Sequence, residues 1–386
     1  MYKFLIRPIL FKFNPEFAHN LTIRLLKWME NLRLGRTITR LLYKRDHPSL
    51  EREFFGLKFR NPVGLAGGLD KNGEVYNVMP DFGFGFVEIG SLTPRPQDGN
   101  PKPRLFRLVH DKAIINRMGI NNKGVRYAIE NLRKNRPETI VAANIAKNTT
   151  SHDEQIAKDY DTSFSLLYEL VDMFVVNVSC PNVEGLTNLQ DVSFLSEIMD
   201  GILDRRATME DHKPVFIKVS PDVPDIQLDA IIDYALRNGV EGLVAGNTTR
   251  SRDGLTASPE KINGIGKGGL SGAPLFEKSL RMVKYIHDKT SGKLPIIGCG
   301  GIMTPAQAKM MLDAGASLIE VYTGFIYEGP GFVEDILKEL DPPKKKKDRS
   351  QKKAAAEVTE ASASPAYVPP VTEEISPDTT TVNSNA

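Results

Sequence analysis

Apolar and polar positions alternate in two different ways along most of the chain. Short runs rich in Val, Ile, Leu and Phe recur at intervals, and such runs are typical of strands buried on both faces of a parallel sheet. Between most of them lie stretches, such as 226–236 and 305–314, whose apolar residues recur at helical spacing. We predict eight core strands, at 63–68, 86–91, 140–146, 174–180, 215–220, 242–247, 295–300 and 318–323.

Eight strand–helix units between residues 60 and 340 have the number and the length of an α/β fold of the (β/α)8 TIM-barrel type. An open, doubly wound sheet is the alternative, and it usually has fewer strands and a G-x-G-x-x-G turn after the first strand. Here the first strand leads into Gly-Gly-Leu-Asp-Lys at 67–71, which is not that turn. We therefore predict a TIM barrel, with a short hairpin at 54–59 before it.

The segment before the barrel contains an amphipathic helix. Asn14 has the side chain of an N-cap, and Pro15 suits the first helical position. This helix could pack on the protein's own core, or it could lie on a membrane with its apolar face toward lipid. The apolar stripe follows at spacings of four, four and three residues and consists of Phe17, Leu21, Leu25 and Trp28.

Positive charge is concentrated in the same segment. Residues 1–46 contain ten Lys or Arg and three acidic residues, a net charge of +7, so the rest of the chain carries −5 within the total of +2. A basic end on a mildly acidic body favours an anionic surface as partner, either lipid or nucleic acid. We expect neither a transmembrane helix nor a signal peptide, because charged residues and a proline interrupt the apolar start.

The composition changes after Asp341. Pro342 and Pro343 end the periodic pattern, lysines occupy 344–347, and the remainder is rich in Ala, Ser, Thr, Pro and Glu. Because no apolar face recurs there, we predict a disordered C-terminal tail. The predicted organisation is an N-terminal helical segment at 1–46, a barrel at 47–341 and a tail at 342–386.

Active sites of TIM barrels lie at the carboxyl ends of the strands, where this sequence places mainly amides, glycines and single lysines. Carboxylates and histidines do not cluster at these ends, which argues against a catalytic metal. Asn side chains suit a planar ligand with alternating N–H and C=O groups, such as a pyrimidine or an isoalloxazine. Glycine turns at 268–272, 298–301 and 324 fit an anion such as phosphate, although turns use Gly for other reasons as well.

Two reactive side chains lie in predicted strands. Lys218 needs a partner for its buried charge, either in a structural ion pair or beside a group that becomes anionic, such as a reduced flavin. Cys180 could be an inert thiol, a nucleophile or a general base, and we favour the base because no nearby histidine supplies a Cys–His pair. Cys180 and Cys299 are the two cysteines of the chain, which indicates free thiols in a reducing compartment.

Several of these motifs together resemble those of dihydroorotate dehydrogenases. They follow in the family's order at 61–71, 103–108, 116–119, 177–182, 246–249, 269–272, 300–302 and 322–324. The basic amphipathic start, with Asn-Pro-Glu at 14–16 and Ala-His at 18–19, is similar to that of the membrane-associated, quinone-using class. The resemblance implies oxidation of dihydroorotate to orotate in pyrimidine biosynthesis, with FMN as hydride acceptor and a membrane quinone as final electron acceptor.

The resemblance also implies roles for particular residues. Cys180 falls on the base that removes a proton from dihydroorotate while hydride leaves for the flavin, and Lys218 would stabilise the reduced, anionic flavin. His19 and Arg107 would lie near the quinone. The FMN would be lined by Gly67, Ser91, Asn144, Asn177, Lys218, Gly246, Gly272, Gly301, Tyr322 and Thr323. Dihydroorotate would be held by Lys71, Asn116, Arg117, Met118, Gly119, Ile120, Asn177, Asn182, Asn247 and Thr248.

One residue departs from the quinone-using pattern. That class usually has serine at the base position, whereas the cysteine at 180 is typical of soluble classes, which pass electrons to fumarate or NAD. A soluble-type enzyme is therefore the alternative function, and a catalytically silent barrel that binds a membrane or nucleic acid is a third. We favour the quinone-linked enzyme, because a basic amphipathic extension involves many residues and the choice of Ser or Cys only one.

The expected location is cytoplasmic, with peripheral association to the inner (cell) membrane through residues 1–46. The expected partners are dihydroorotate or orotate, a quinone and this anionic membrane surface. We expect no nucleic acid and no obligate protein partner.

We expect Cys180→Ala to stay yellow with bound flavin but to lose flavin reduction by dihydroorotate, because alanine cannot accept a proton. Anaerobic mixing with dihydroorotate, followed through the flavin absorbance, measures this step. Reduction at the parent rate would exclude Cys180 as the base.

Overall fold

Eight parallel strands close into a barrel in the computed structural model, which describes residues 2–179 and 192–342. A hairpin precedes them, with β1 (Arg52–Phe54) antiparallel to β2 (Leu57–Phe59). The barrel strands are β3 (Val63–Leu65), β4 (Phe86–Leu92), β7 (Ile140–Ile145), β8 (Met173–Asn177), β9 (Val215–Val219), β10 (Gly242–Ala245), β12 (Ile296–Cys299) and β13 (Leu318–Val321). A separate antiparallel sheet contains β5 (Leu105–Leu108), β6 (Ala113–Asn116) and β11 (Gly269–Gly272).

The predicted (β/α)8 TIM barrel is confirmed. Each barrel strand begins within one residue of its predicted start, and all except β4 end earlier than predicted. The strands pair in chain order around the barrel, and β13 closes it by pairing with β3. The tail predicted from 342 lies, apart from Pro342, outside the described residues.

The interior of the barrel has an apolar layer and a polar layer. Successive side chains of a strand point to opposite faces, so Phe86 and Glu88 lie on the same face of β4, as do Phe216 and Lys218 of β9. Glu88 contacts Lys218 although two other strands separate β4 from β9, so both side chains point into the barrel. The apolar layer below them consists of Phe59, Phe86, Ala142, Met173, Val175, Phe216, Val244, Ile297 and Leu318.

The hairpin closes the amino-terminal end of the barrel. Phe55 lies edge-on to Phe216 with ring centroids 5.4 Å apart, and Phe59 lies edge-on to Phe86 at 5.5 Å. Because these rings fill the apolar layer, the polar layer is open toward the carboxyl ends of the strands.

Three helices precede the barrel: α1 (Arg7–Lys12), α2 (Pro15–Glu30) and α3 (Arg33–Tyr43), after a π-helical turn at Tyr2–Ile6. As predicted, Asn14 caps α2, since its Oδ1 accepts from the amides of Glu16 and Phe17 at 2.9 and 3.2 Å. Pro15 is the first residue of α2, where its missing N–H costs no hydrogen bond.

The helices around the barrel follow its strands. The described part of the chain contains α4 (Val125–Lys134), α5 (Glu154–Leu167), α6 (Val192–Ala207), α7 (Asp225–Asn238), α8 (Pro259–Ile265), α9 (Phe276–Thr290), α10 (Pro305–Asp313), α11 (Thr323–Glu328) and α12 (Phe332–Leu340). The crossover from β3 to β4 instead contains a 3-10 turn, Met79–Phe82. Arg36 and Arg40 of α3 both donate to the buried carboxylate of Asp81 in this turn, at 2.8 and 2.5 Å, so α3 covers it.

The apolar stripe of α2 remains largely outside the core. Phe17 and Leu25 are each 54% exposed and Trp28 is 65% exposed, so packing on the core does not account for them. Apolar side chains of α3 are exposed as well, and together they form an N-terminal apolar surface of Phe17, Leu25, Trp28, Leu34, Leu41 and Leu42. Among the described helices, none has the length and the apolar character needed to cross a membrane.

Gly64 on β3 leaves no room for a side chain, because a Cβ there would lie 2.2 Å from the ring of Phe86. We expect Gly64→Ala to lower the free energy of unfolding by about 1–3 kcal/mol, since inserting a methyl group into a filled core forces neighbours to move. A Cβ at Gly201 in α6 would meet no atom within 4 Å, so Gly201→Ala should stabilise by up to about 1 kcal/mol. Urea unfolding compares the two, and equal stability of Gly64→Ala and parent would contradict this packing.

Candidate active site

A cavity lies at the carboxyl ends of the barrel strands, above the polar layer. All ten residues assigned to the flavin from the sequence line it: Gly67, Ser91, Asn144, Asn177, Lys218, Gly246, Gly272, Gly301, Tyr322 and Thr323. Of the residues assigned to the substrate, the cavity is lined by Lys71, Asn116, Met118, Gly119, Ile120, Asn177, Asn247 and Thr248. Residues that are far apart in the sequence therefore meet at one end of the barrel.

Lys218 lies at the centre of a charged network in the floor of this cavity. Its Nζ donates to Glu88 Oε1 at 2.8 Å and to Oε2 at 3.1 Å, and it lies 3.5 Å from Glu320 Oε2. Asn144 Nδ2 also donates to Glu88 Oε1, at 2.6 Å. All four side chains are buried, so these interactions are little screened by water. The structural ion pair considered from the sequence is present, and its lysine also faces the cavity.

Two carboxyl groups share the one ammonium group of Lys218. Burial alone would lower the pKa of Lys218, but the charges of Glu88 and Glu320 raise it above its usual range. Burial and the charge of Glu88 raise the pKa of Glu320 well above its usual range. Glu88 accepts three hydrogen bonds, two of them from Lys218. Glu320 lies farther from the ammonium, and its raised pKa favours its neutral form. Burial also raises the pKa of the neighbouring Cys299, so this thiol keeps its proton.

Three buried polar atoms of cavity residues have no hydrogen-bond partner within the described ranges. They are Asn144 Oδ1, Glu320 Oε1 and Asn121 Oδ1. Buried polar atoms are paired in nearly all folded proteins, so each of these marks a position at which a bound molecule can supply the partner. In the same ranges, no group of three or more His, Cys, Asp or Glu side chains could hold a metal ion.

Amide side chains form a second network at the ends of β8 and β10. Asn177 Nδ2 donates to Ser91 Oγ at 2.8 Å. Asn247 Nδ2 donates to Ser179 Oγ at 3.0 Å and lies 3.5 Å from Asn177 Oδ1. The Thr248 amide donates to Asn247 Oδ1 at 2.8 Å. These bonds fix the direction of each amide, so that the remaining donors and acceptors are preorganised for a planar polar ligand.

Lys71 and His19 bring an amine and an imidazole to the wall of the cavity. The Lys71 ammonium donates to the carbonyl of Gly68. Desolvation lowers the pKa of Lys71 to about 8, while the charge of Glu16 acts in the opposite direction. Burial and the charge of Lys71 lower the pKa of His19 to about 3. His19 is therefore neutral at physiological pH, and Lys71 is an ammonium up to about pH 8.

The side chain of Arg117, assigned to the substrate from the sequence, does not line the cavity. It donates to the backbone carbonyls of Ile265 and, at 3.0 Å, of Pro103. Arg117 therefore fixes the position of the segment 116–120, which contains the neighbouring cavity residues. Cys180 and Asn182, the assigned base and a substrate amide, lie outside the described residues.

Arg107, assigned to the quinone together with His19, also lies outside the cavity lining. Its guanidinium donates to the carbonyls of Leu10, at 3.2 Å, and of Phe13. It also lies over the ring of Phe11, 4.5 Å from the centroid. Arg107, which lies in β5, therefore attaches α1 and the turn after it to the sheet of β5, β6 and β11.

The segment 268–272, predicted as a glycine turn, is strand β11 over most of its length. It pairs antiparallel with β6, with Gly269 opposite Asn116. Gly272 has a φ of +101°, and a Cβ there would lie 2.3 Å from the Lys112 carbonyl oxygen. Glycine is therefore required at 272 because the backbone there lies against the backbone at Lys112. The sequence had suggested an anion site as the reason for this glycine.

Four residues of the site received no role from the sequence: Asn121, Cys299 and Glu320, which line the cavity, and Glu88, which lies in the charged network at its floor. The period of two along a strand could have identified three of them. Glu88, Cys299 and Glu320 each lie two residues after an apolar residue of the interior layer, as Lys218 does. For Asn121 the sequence contains no comparable signal.

We expect Glu88→Gln to lower the free energy of unfolding by about 3 kcal/mol, because removing one partner leaves the buried ammonium of Lys218 poorly compensated. Glu320→Gln keeps the shape of a carboxyl group that lies 3.5 Å from the ammonium and whose raised pKa favours the neutral form, so its cost should stay below about 1 kcal/mol. Urea unfolding at pH 7 measures both losses. Equal losses would contradict the assignment of Glu88 as the main partner of Lys218.

Comparisons with known proteins identify the family of the chain. The family model described as dihydroorotate dehydrogenase matches residues 49–342. A protein of Christiangramia forsetii named dihydroorotate dehydrogenase (quinone) is 44% identical over 340 residues, which cover 88% of this chain and 98% of that protein. One of the same name from Coxiella burnetii is 43% identical, covering 88% and 96%. The crystal structure of the Eimeria tenella enzyme with ferulenol superposes with a TM-score of 0.76 at 34% identity, covering 84% of this chain and 90% of that one. The chain belongs to the dihydroorotate dehydrogenase family.

Proposed function

We propose that this protein oxidises dihydroorotate to orotate with FMN as hydride acceptor and passes the electrons to a membrane quinone. The observation that carries the proposal is the cavity itself, where a buried lysine–carboxylate network and a row of oriented amides meet at the carboxyl end of the barrel. The relatives named dihydroorotate dehydrogenase (quinone) support the choice of acceptor, because they match this chain over nearly their whole length.

The residues present fit a flavin. At the cavity floor, Asn144 Oδ1 and Glu320 Oε1 have no hydrogen-bond partner among the described residues, and the polar edge of an isoalloxazine can supply one to each. A Cβ at Gly67 would lie 2.2 Å from Glu88 Oε1. Position 67 therefore has no room for a side chain above the Lys218–Glu88 network. A bound flavin would supply the hydride acceptor, and the cation of Lys218 would stabilise the negative charge of its reduced form.

The phosphate of FMN would lie near the glycine-rich ends of β12 and β13. Gly300 and Gly301 follow β12, line the cavity and have φ of +125° and +75°, a conformation that glycine adopts readily. Ser271 Oγ and Thr323 Oγ1 lie 2.8 Å apart beside them. These hydroxyls and backbone amides are the groups that we assign to phosphate binding.

Dihydroorotate would lie between the flavin and the segment 116–120. Lys71 would pair with its carboxylate, and Asn116, Asn177, Asn247 and Thr248 would hold its ring amides. Cys180 would remove the proton, while the fixed amides hold the ring in place for hydride transfer.

The N-terminal helices would provide the path to the quinone. His19 of α2 lines the cavity and is uncharged, which suits the neutral, largely apolar ligand expected there. The N-terminal apolar surface and the charge of +7 in residues 1–46 favour peripheral attachment to an anionic membrane surface. We assign this attachment to the inner (cell) membrane, with the barrel on the cytoplasmic side.

An acceptor assay tests the function. We expect dihydroorotate to bleach the bound flavin under anaerobic conditions and a soluble quinone to restore its colour within the turnover time. The cysteine at 180 favours the soluble-type alternative, so fumarate and NAD are offered in parallel. Faster reoxidation by fumarate or NAD than by quinone would replace the proposal with that alternative, and a flavin that dihydroorotate does not bleach would overturn both.

The pKa of Lys71 predicts a pH dependence of substrate binding. The ammonium form is complete well below pH 8, so affinity for orotate should be constant between about pH 6 and 7 and should fall as the pH rises through about 8. Orotate titration of the oxidised enzyme from pH 6 to 9 measures this fall. Lys71→Met should bind weakly at every pH, and an unchanged affinity in that variant would exclude Lys71 as the carboxylate partner.

A further inference from the structure

We propose that the buried ion pair between Glu16 of α2 and Arg104 is a positioning device, which holds the substrate segment 116–119 in its binding conformation. Neither side chain lines the cavity, so both would act through the residues that they hold. The inference rests on the proposed function, because it assigns a role toward orotate.

The ion pair itself is well formed and largely shielded from water. Arg104 Nη2 donates to Glu16 Oε1 at 2.8 Å and Nε donates to the same oxygen at 3.2 Å. Glu16 is 8% exposed and Arg104 is 6% exposed. Burial alone would raise the pKa of Glu16, but the hydrogen bonds and charges of Arg104 and Lys102 lower it, so the carboxylate remains ionised near neutral pH.

The guanidinium of Arg104 also organises the loop that precedes it. Nη1 donates to the carbonyl of Asp98 at 2.5 Å and to that of Asn100 at 2.9 Å. One arginine thus joins helix α2 to two backbone carbonyls, and lysine could not reproduce this fork of donors.

Asn100 continues the connection to the substrate segment. Its Nδ2 donates to the Arg117 carbonyl at 3.0 Å, and its amide donates to the Met118 carbonyl at 3.1 Å. The Arg117 amide in turn donates to the Arg104 carbonyl at 2.8 Å. The two segments are also packed without space between them, since a Cβ at Gly99 would lie 2.2 Å from the Met118 carbonyl oxygen. A shift of one segment therefore displaces the other.

The carboxylate of Glu16 also changes the pKa of Lys71, the lysine that we assign to the substrate carboxylate. The charge of Glu16 raises the pKa of Lys71, and the charge of Arg104 lowers it. The other charged or titratable groups that face Lys71 are Asp70 and His19. Loss of Glu16 would therefore lower the pKa of Lys71 further, and a smaller fraction of Lys71 would be an ammonium near pH 8.

This arrangement places a determinant of orotate binding on the helix that we assign to the quinone. His19 lies three residues after Glu16, close to one turn along α2. A movement of α2 would therefore displace His19 in the quinone region. Through the Glu16–Arg104 ion pair, it would also displace the orotate segment 116–119.

Orotate titration of the oxidised, full-length holoenzyme by calorimetry tests the inference. We expect Glu16→Gln and Arg104→Lys to bind orotate at least about fivefold more weakly than the parent, the lower end of usual coupling between sites. Glu30→Gln is the matched control, because it makes the same substitution on α2 at a residue that contacts Asn135 and not the 98–104 loop. Its affinity should stay within about twofold of the parent.

Hydrogen exchange supplies a second readout that does not depend on orotate. Amides at 98–104 and 116–119 should exchange faster in Glu16→Gln and Arg104→Lys than in the parent or Glu30→Gln. Parent-like affinity and exchange in both ion-pair variants would overturn the inference, as would equal weakening in Glu30→Gln. If the parent itself failed to bind orotate, the proposed function would fall, while the exchange comparison would still decide whether the ion pair orders these segments. If Glu16→Gln did not fold, Arg104→Lys, which retains a cation beside Glu16, would carry both measurements.

Discussion

The contact between Lys218 and Glu88 is the constraint on which the architecture of the site depends. An ammonium group inside a barrel is stable only with an ionised partner at hydrogen-bond distance, and here the partner comes from a strand on the far side of the polar layer. The strands therefore have to keep one register, because a slip of a single residue would turn both charges outward. The apolar layer below secures this register, since Phe86 and Phe216 occupy the inward positions two residues earlier.

Much of the fold and part of the site could be predicted from the sequence. The barrel followed from eight buried runs, because strands covered on both faces are apolar throughout and end at glycine, proline or amides. The side chains at strand ends, such as Asn144, Asn177 and Lys218, could be placed at one cavity because parallel strands share a carboxyl end. Glu88 and Glu320 were not predicted: Glu88 lies in the middle of β4, and Glu320, although penultimate in β13 as Lys218 is in β9, is recognisable from the period of two.

Other features could not be predicted, because they depend on tertiary contacts. The pairing of β11 with β6 joins segments about 150 residues apart, and short glycine-containing strands have no distinctive pattern. The side chain of Arg117 lies among loop carbonyls rather than in the cavity, a choice of rotamer that adjacent residues do not determine. The exposure of Phe17, Leu25 and Trp28 was likewise open, since a stripe of this kind suits a protein core and a lipid surface equally well.

Attachment through the N-terminal apolar surface, as proposed above, would bring the enzyme to its quinone within the plane of the membrane. An enzyme held on a bilayer meets a lipid-dissolved acceptor in two dimensions, so the acceptor's mole fraction in the membrane, rather than its concentration in bulk solution, sets the rate. Adding lipid at a fixed amount of quinone would then lower the mole fraction of quinone in the membrane and slow turnover. The exposed side chains of the N-terminal apolar surface would in this way connect the oxidation of dihydroorotate to the composition of the membrane.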